Sequence, residues 1–541
     1  MEKVIFFGRS KLTLPGINLP LIFLYGPPGS GKSAVGRALA SALELSFRDL
    51  DAEIEGRAAK SIPEIFAARG ESGFRQIEKE ALAACLERGE GVLALGGGTL
   101  LDPENRSLVK AAGRVVCLAA PPQTLFERLN YHQDRPRPLL SEEGPIVKVE
   151  RLEALLVARA GHYTSFARQI NTAERSIPEL AWEIQVNLGW FRVGGMGNGY
   201  DVRLWPGGLD FLGDVMRSHR LEGPITLVVD ETPASFYAAR VEESLRAKGY
   251  AVFLKRVLSG EVHKTMNTVA AIWDAFLTAK MERNSTVVAL GGGVLTDLAG
   301  FAAATFLRGI PWVVIPTTLL AMVDASLGGK TGADLPQGKN LVGAFHPPQL
   351  VLADPQVLAT LPQEELRAGL AEVVKAGLIA DAQLFDLCAG GWGQVQSQWE
   401  EAVRRAMAVK VRVVQEDPYE RGNRAKLNLG HTIGHALETA SGFQMRHGEA
   451  VSIGMVVEAQ LAESIGIAKP GLSQTIARTL NGLGLPTELP PGIDRQAIVE
   501  ATGIDKKRSG GRVRFTLPER VCSVRVGIEI DNLEELLGRI L

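Results

Sequence analysis

The sequence predicts a soluble α/β protein in three units: a parallel sheet flanked by helices, a second α/β unit, and a mostly helical one. Short apolar runs recur at Leu21–Tyr25, Val92–Leu95, Val115–Ala119, Ile225–Val229 and Val287–Leu290, each followed by a longer amphipathic stretch, the pattern of buried parallel strands alternating with helices. Around residues 177–200 an amphipathic stretch, Ile177–Leu188, gives way to Arg192-Val-Gly-Gly-Met-Gly-Asn-Gly-Tyr200, which reads as a domain boundary near residue 190 with a short linker. Beyond about residue 355 strand signals thin and helical patterns dominate in Glu364–Ile379, Glu400–Gln415, His431–Ser441 and Glu449–Ile465. The expected units are therefore 1–189, 190–355 and 356–541.

Composition narrows the function classes. The 541 residues carry 59 Lys+Arg against 61 Asp+Glu, so a general nucleic-acid or membrane-surface binder, which needs a basic excess, is not expected. Hydrophobic residues at 46% and charged residues at 22% exclude intrinsic disorder and collagen-like repeats. Four cysteines, Cys85, Cys117, Cys388 and Cys522, lie far apart, which argues against a disulfide framework or a cysteine zinc site and for a reducing cytoplasm. The apolar run Val4–Phe7 is too short for a signal-peptide core, and nothing approaches the roughly 18 apolar residues of a membrane span.

In the first unit, Gly26-Pro-Pro-Gly-Ser-Gly-Lys32-Ser33 stands between the strand Leu21–Tyr25 and a helical pattern from Ala34 to Leu43. In that context its backbone N–H groups cradle nucleotide phosphates at a helix N-terminus, Lys32 reaches the β/γ-phosphates and Ser33 is placed on Mg²⁺. Asp49-Leu-Asp51 ends the next strand, where one carboxylate supports Mg²⁺ and the other accepts from a substrate hydroxyl, although such a pair also suits a solvated loop. Arg75, the turn Gly96-Gly97-Gly98, the arginines of Arg135-Pro-Arg137-Pro-Leu-Leu140, and Arg159, four residues before Tyr163, complete the set. Two arginines in a proline-rich loop suit closure over a transferring phosphate.

This ordered series resembles shikimate kinase from about Leu19 to Leu188. The resemblance implies a P-loop kinase fold with ATP as co-substrate, held by Gly29, Ser30, Gly31, Lys32, Ser33, Ala34 and Arg137. It places Mg²⁺ on Ser33 and Asp49, and shikimate on Asp51, Arg75, Gly97, Gly98 and Arg159, with Lys32, Asp51 and Arg137 as the catalytic groups. A small anionic acceptor makes physical sense of Arg75 and Arg159, because guanidinium matches carboxylate bidentately. Gluconate kinases and adenylate-kinase-like enzymes share the loop and stand as the competing reading.

In the rest of the chain, three of eight histidines fall in His431-Thr-Ile-Gly-His435 and His447-Gly-Glu449. Histidines at i and i+4 share a helix face, where both could grip one metal or one could meet metal and the other substrate. Leu290-Gly-Gly-Gly293-Val-Leu-Thr-Asp297 follows a strand and opens a helix, a turn that lets a pyrophosphate approach backbone N–H groups. Thr317-Thr318, Asp324, Gly328-Gly-Lys330-Thr331 and Gly338-Lys339-Asn340 crowd hydroxyls, acid and lysines beside glycines.

Together with Ala371-Glu372-Val-Val-Lys375, Lys410, Arg424, Asn428-Leu-Gly-His431 and Asp505-Lys506-Lys507, these motifs resemble 3-dehydroquinate synthase from about Arg192 onward. The resemblance implies a Rossmann-like α/β NAD-binding domain followed by a helical metal-binding domain. Glu372, His431 and His447 would bind the metal, Zn²⁺ or Co²⁺. NAD would contact Asp230, Glu261, Lys264, Gly292, Gly293, Val294, Asp297, Thr317, Thr318 and Lys339; the family's Asp-x-Asn is here Asp230-Glu-Thr232. Substrate would meet Arg308, Asp324, Lys330, Asn340, Lys375, Lys410, Arg424, Asn428, His435 and one of Lys506 or Lys507, with Lys330, Lys375 and His435 in catalytic roles. The implied reaction takes 3-deoxy-D-arabino-heptulosonate 7-phosphate to 3-dehydroquinate with loss of phosphate, NAD being recycled, and the implied assembly is a homodimer through this half. Two readings compete with this bifunctional enzyme of aromatic-precursor biosynthesis: the same folds serving another sugar-phosphate cyclase, or one half acting as a non-catalytic module.

Overall fold

The computed structural model describes residues 21–131, 140, 147–508 and 513–541, with no side-chain description over 503–508. Arg135 and Arg137, the side chains of Lys506 and Lys507, and the N-terminal run Val4–Phe7 lie outside the described residues. The chain forms two compact units that meet in sequence at Leu188 and Gly189.

The first unit is a five-stranded parallel sheet, β1 (Leu21–Tyr25), β2 (Phe47–Asp49), β3 (Val92–Ala94), β4 (Gly113–Ala119) and β5 (Gln169–Asn171), in the order β2-β3-β1-β4-β5. Every residue of β1 is buried, as expected of a central strand covered on both faces. Among the described residues the α-helices of this unit are α1 (Lys32–Ala42), α2 (Leu50–Ala58), α3 (Ile62–Glu87), α4 (Pro103–Ala112), α5 (Pro122–Tyr131), α6 (Val149–Thr164) and α7 (Ile177–Leu188). The strand order matters for function. It sets the C-terminal ends of β1 and β3 side by side, so the phosphate-loop turn and the Gly96–Gly98 turn open at one crevice.

The second unit has a seven-stranded sheet of β6 (Trp190–Val193), β7 (Tyr200–Leu204), β8 (Glu222–Asp230), β9 (Val252–Val257), β10 (Ser285–Gly291), β11 (Trp312–Pro316) and β14 (Leu350–Ala353). Its order is β6-β7-β14-β11-β10-β8-β9, parallel except for β6. The glycine-rich stretch read from sequence as a linker is instead the turn of a hairpin: β6 and β7 pair antiparallel from Trp190↔Arg203 to Val193↔Tyr200. Its glycines serve the left-handed turn, with positive φ at Gly195, Gly197 and Gly199. β12 (Lys330–Leu335) and β13 (Gly338–Phe345) form a separate hairpin from the polar, glycine-dotted stretch. Helices α8 (Met266–Thr278) and α9 (Gly293–Thr305) belong to this sheet layer.

Beyond residue 355 the helices that matter are α10 (Gln363–Ala380), α11 (Trp399–Glu416), α12 (His431–Ala440) and α13 (His447–Ser464). The helical region also holds strands the sequence did not announce, β15 (Phe515–Arg520) and β16 (Ser523–Ile528), whose Phe515 and Leu517 enter the same apolar cluster as Ile453 and Val457 of α13. No described helix is long and apolar enough to cross a membrane.

Candidate functional sites

In the first unit the turn after β1 is forced into shape by glycine. Gly26, at φ +139°, sits where a Cβ would lie 2.1 Å from the Leu118 carbonyl oxygen of β4, and Gly29 and Gly31 also take positive φ. Lys32 folds its ammonium onto the Gly26 and Pro27 carbonyls, both at 2.9 Å, which places the charge over the loop it would share with phosphate. Ser30 Oγ is buried without a hydrogen-bond partner among the described residues, an acceptor or donor left for a ligand. Ser33 Oγ donates to Asp49 Oδ2 at 2.5 Å, so hydroxyl and carboxylate already share one point, the arrangement a hexacoordinate Mg²⁺ takes from protein oxygens.

Asp51 follows on α2, capped by Asp49, which accepts its backbone N–H at 3.1 Å. Burial, reinforced by the neighbouring Asp49 carboxylate, pushes Asp51 up to about 6, so it is a poised proton acceptor near neutral pH. Arg75 is held by Glu78 at 2.7 Å and Glu71 at 3.2 Å. A Cβ on Gly98 would lie 2.9 Å from Arg75 and 3.4 Å from Arg159, so the missing side chain keeps the ground between two guanidinium groups clear. Asp51, Arg75, Gly97, Gly98 and Arg159 thus gather at the crevice between β1 and β3; Ala34 lies one residue further along α1.

In the second unit a cleft of about 1090 Å³ opens at the C-terminal ends of β8, β10 and β11. All ten residues read as NAD contacts line it, as do Asp324, Asn340, His435 and His447. Asp230, the last residue of β8, accepts the Gly292 N–H at 2.9 Å, and burial raises it to about 6. A Cβ on Gly291 would stand 2.5 Å from that carboxylate and displace it; at Gly292 and Gly293 it would fill the space before Thr318 and Ala325. The backbone N-terminus of α9 is therefore open toward the cleft, which fits a dinucleotide pyrophosphate. Lys264 bridges Asp297 at 2.7 Å and Asn340 at 2.6 Å, while Lys339 lies 3.5 Å from Glu261 and 4.7 Å from the Phe443 ring centre.

The three residues read as metal ligands are brought together by two glycines of α13. A Cβ on Gly448 would be 1.9 Å from the Ala368 carbonyl of α10, and one on Gly454 would be 2.0 Å from the Gly430 carbonyl at the start of α12. Backbone therefore meets backbone at both points, and His447 and His431 close on Glu372. Glu372 Oε1, sealed from solvent, has no hydrogen-bond partner among the described residues and faces His447 Nε2 at 3.6 Å and His431 Nε2 at 3.7 Å. These separations approach the roughly 3.4 Å edge of a tetrahedron of ligands 2.0–2.1 Å from a zinc ion. The second shell agrees: His431 Nδ1 lies 3.1 Å from the Leu429 carbonyl and His447 Nδ1 3.3 Å from Glu438, fixing both rings with Nε2 turned to the ion position. Burial, then the Lys375 ammonium, holds His431 well below the usual imidazole range, which favours the uncharged ring that a cation would need. The donor set fits a zinc-like cation.

Around this point Lys375 pairs with Glu372 and Lys410 with Asp324 at 2.5 Å, both lysines set on helices packed behind the cleft. Arg424 is buried and donates to the Pro418 carbonyl at 2.6 Å and the Gly328 carbonyl at 3.2 Å. Lys330 is half exposed and pairs with Glu420, Asn428 is exposed, and Arg308 stands in a left-handed turn after α9, outside the residues that line the cleft. Glu438 was absent from the sequence reading, although its place three residues after His435 on one helix face is the signal that could have found it. So was Glu458, which is fully buried on α13 and accepts the Gly430 N–H at 2.5 Å and the Ile433 N–H at 3.3 Å. It caps α12 where Gly430 has no side chain to do so.

Comparison with known proteins gives this geometry a lineage. Residues 28–188 match the shikimate kinase model, 255–368 the 3-dehydroquinate synthase N-terminal model and 369–508 the 3-dehydroquinate synthase C-terminal model. A 3-dehydroquinate synthase of Nostoc punctiforme is 44% identical over 340 residues, covering 62% of this chain and 94% of that one. Among solved structures, a 2-epi-5-epi-valiolone synthase from Streptomyces hygroscopicus subsp. jinggangensis 5008 with NAD⁺ and Zn²⁺ bound is 31% identical at TM-score 0.58, covering 64% of this chain and 98% of that one. A 2-deoxy-scyllo-inosose synthase complexed with carbaglucose-6-phosphate, NAD⁺ and Co²⁺ is 25% identical at TM-score 0.58, covering 65% of this chain and all of the other. This chain belongs to the 3-dehydroquinate synthase family and carries a shikimate kinase domain ahead of the synthase, so that a phosphotransferase and a lyase share one polypeptide.

Proposed function

We propose that the N-terminal unit phosphorylates shikimate from ATP, and that the C-terminal unit converts 3-deoxy-D-arabino-heptulosonate 7-phosphate to 3-dehydroquinate with release of phosphate. In the kinase, the Gly29–Ala34 backbone and Lys32 bind the nucleotide phosphates, Ser33 and Asp49 hold Mg²⁺, and Arg137, read from the sequence alone, supplies positive charge to the transferring group. Asp51 takes the acceptor hydroxyl's hydrogen bond and proton, while Arg75, Arg159 and the Gly97–Gly98 turn fix the acid.

In the synthase, Glu372, His431 and His447 hold the cation, and Asp230, Glu261, Lys264, Gly292, Gly293, Val294, Asp297, Thr317, Thr318 and Lys339 hold NAD. When bound, the cofactor supplies a reversible hydride acceptor and the cation a Lewis acid at a substrate oxygen. The chain's own task is charge and protons. Lys330, Lys375, Lys410 and Arg424, with Arg308 and one of Lys506 or Lys507, neutralise the phosphate and carboxylate, Asn340 and Asn428 hydrogen-bond to the substrate, and Asp324 keeps Lys410 oriented. His435, exposed in the cleft, moves the proton near the departing phosphate.

The observation that carries the synthase reading is the Glu372–His431–His447 constellation with the ion pairs Lys375–Glu372 and Lys410–Asp324 beside it. Lys375 and Lys410, each held on a carboxylate until an anion arrives, suit a substrate that carries a carboxylate as well as a phosphate, which favours the heptulosonate over a sugar phosphate without the acid. We place the enzyme in the cytoplasm, as a homodimer through the synthase half. A substrate panel tests the reading. Metal-loaded protein with NAD⁺ should release phosphate from 3-deoxy-D-arabino-heptulosonate 7-phosphate at least a hundredfold faster than from the uncharged-chain analogue sedoheptulose 7-phosphate, and shikimate should stimulate ADP formation where gluconate does not. Preference for the neutral sugar phosphate would move the synthase half to another cyclase.

A further inference from the structure

Tyr25 ends β1 immediately before the phosphate loop and is fully buried, yet the kinase reading gives its hydroxyl no task. That hydroxyl lies 3.1 Å from the Gly97 carbonyl oxygen and 3.0 Å from His162 Nε2. The same carbonyl receives the Tyr163 hydroxyl at 2.8 Å and Arg159 Nη1 at 3.3 Å. Proton directions follow from which groups can only donate. The Arg106 guanidinium faces His162 Nδ1 at 3.5 Å, so Nδ1 is the acceptor and the ring proton sits on Nε2. That proton points at the Tyr25 oxygen, which leaves the Tyr25 proton for Gly97. Burial, with the Arg106 and Arg159 charges, keeps His162 in this neutral form. Edge contacts with His162 and tilted contacts with Tyr163 and Phe166 hold the Tyr25 ring in place.

The Gly97 carbonyl therefore has three donors for two lone pairs, and Arg159 makes the longest contact of the three. We propose that Tyr25 is a positioning residue that keeps Arg159 available: with Tyr163 it saturates the Gly97 carbonyl, so the guanidinium moves to the carboxylate of the acid substrate without orphaning a buried acceptor. In the absence of the Tyr25 hydroxyl the second lone pair falls to Arg159, and substrate binding has to break that bond. The inference rests on the shikimate kinase reading and adds to it a residue whose action runs through Arg159.

Steady-state kinetics on the full chain test it. Tyr25→Phe should raise KM for shikimate about fivefold, the worth of one buried hydrogen bond, while kcat and KM for ATP stay within twofold. In an Arg159→Ala background the same substitution should add nothing, because the group it liberates is gone. His162→Phe, which leaves the Tyr25 proton on the Gly97 carbonyl, should keep KM for shikimate within twofold of the unsubstituted chain, and a fivefold rise there would contradict the assigned proton directions. A hydroxyl serving packing alone would move kcat, both KM values and the melting temperature together, and would do so equally in both backgrounds; that result, or an unchanged KM for shikimate, overturns the proposal. Absence of shikimate-dependent ADP formation by the unsubstituted chain overturns the kinase reading and this inference with it, an outcome distinct from a silent Tyr25→Phe.

Discussion

At the N-terminal site the groups poised for phosphate come from one turn, Gly29–Ala34, and are mostly backbone, whereas the C-terminal site assembles side chains from β8, β10, β11, the β12–β13 hairpin, α10, α12 and α13. The first is built mainly from local conformation: positive φ at Gly26, Gly29 and Gly31 and the start of α1 shape it, with β4 and α5 only closing the space beside Gly26 and Gly29. The second is fixed by packing, because Glu372 and His447 meet only where Gly448 lets α13 touch the Ala368 carbonyl. A site of the first kind is sensitive to substitutions within its own turn. A site of the second kind can be destroyed by one methyl group on a glycine that itself binds nothing.

The contrast can be broken most severely at the metal. Glu372→Gln should abolish cation binding and lower phosphate release by at least about a thousandfold, since two imidazoles alone leave an incomplete donor set. Metal content and phosphate release read this directly, and shikimate-dependent ADP formation should persist. Gly448→Ala should approach the same loss by prising α13 from α10, with the metal content again as readout.

Asp51→Asn is the counterpart in the kinase, expected to lower kcat by about 10²–10⁴-fold, the usual worth of a general base. Glu438→Gln, which keeps size but weakens the hold on His447 Nδ1, should cost about 10–100-fold in metal affinity by chelator competition.

The smallest effect is a pH profile. With Asp51 raised to about 6, kinase kcat/KM for shikimate should fall about tenfold per unit below that pH. The linked stability has the opposite sense. A carboxyl whose folded value exceeds its unfolded one binds more protons when folded, so its contribution to stability grows as pH drops from 6 toward 4, and Asp51→Asn should remove that contribution.

What was readable in the sequence follows the same division. Gly26–Ser33 is contiguous, so its strand, turn and helix could be named from spacing, and the metal residues stand in dense local motifs around Glu372 and His431–His447. Residues whose role depends on packing were not readable. Tyr25 looks like one more apolar strand residue until the fold lays Gly97 and His162 against its hydroxyl. Glu458 looks like a surface acid until α13 carries it under the N-terminus of α12, where burial pushes it up to about 8. The Arg192–Tyr200 glycines imitate a linker because hairpin turns and linkers want the same residues, and only pairing with a sheet tells them apart.

The central claim is that one chain holds two complete and separable sites, and the most direct measurement assays both reactions on the intact chain and on Asp51→Asn and Glu372→Gln. The account predicts NAD-dependent phosphate release without net NADH and shikimate-dependent ADP formation in the unsubstituted chain, with Asp51→Asn losing only the second and Glu372→Gln only the first. Loss of both activities in either variant, or phosphate release that survives Glu372→Gln, would contradict it.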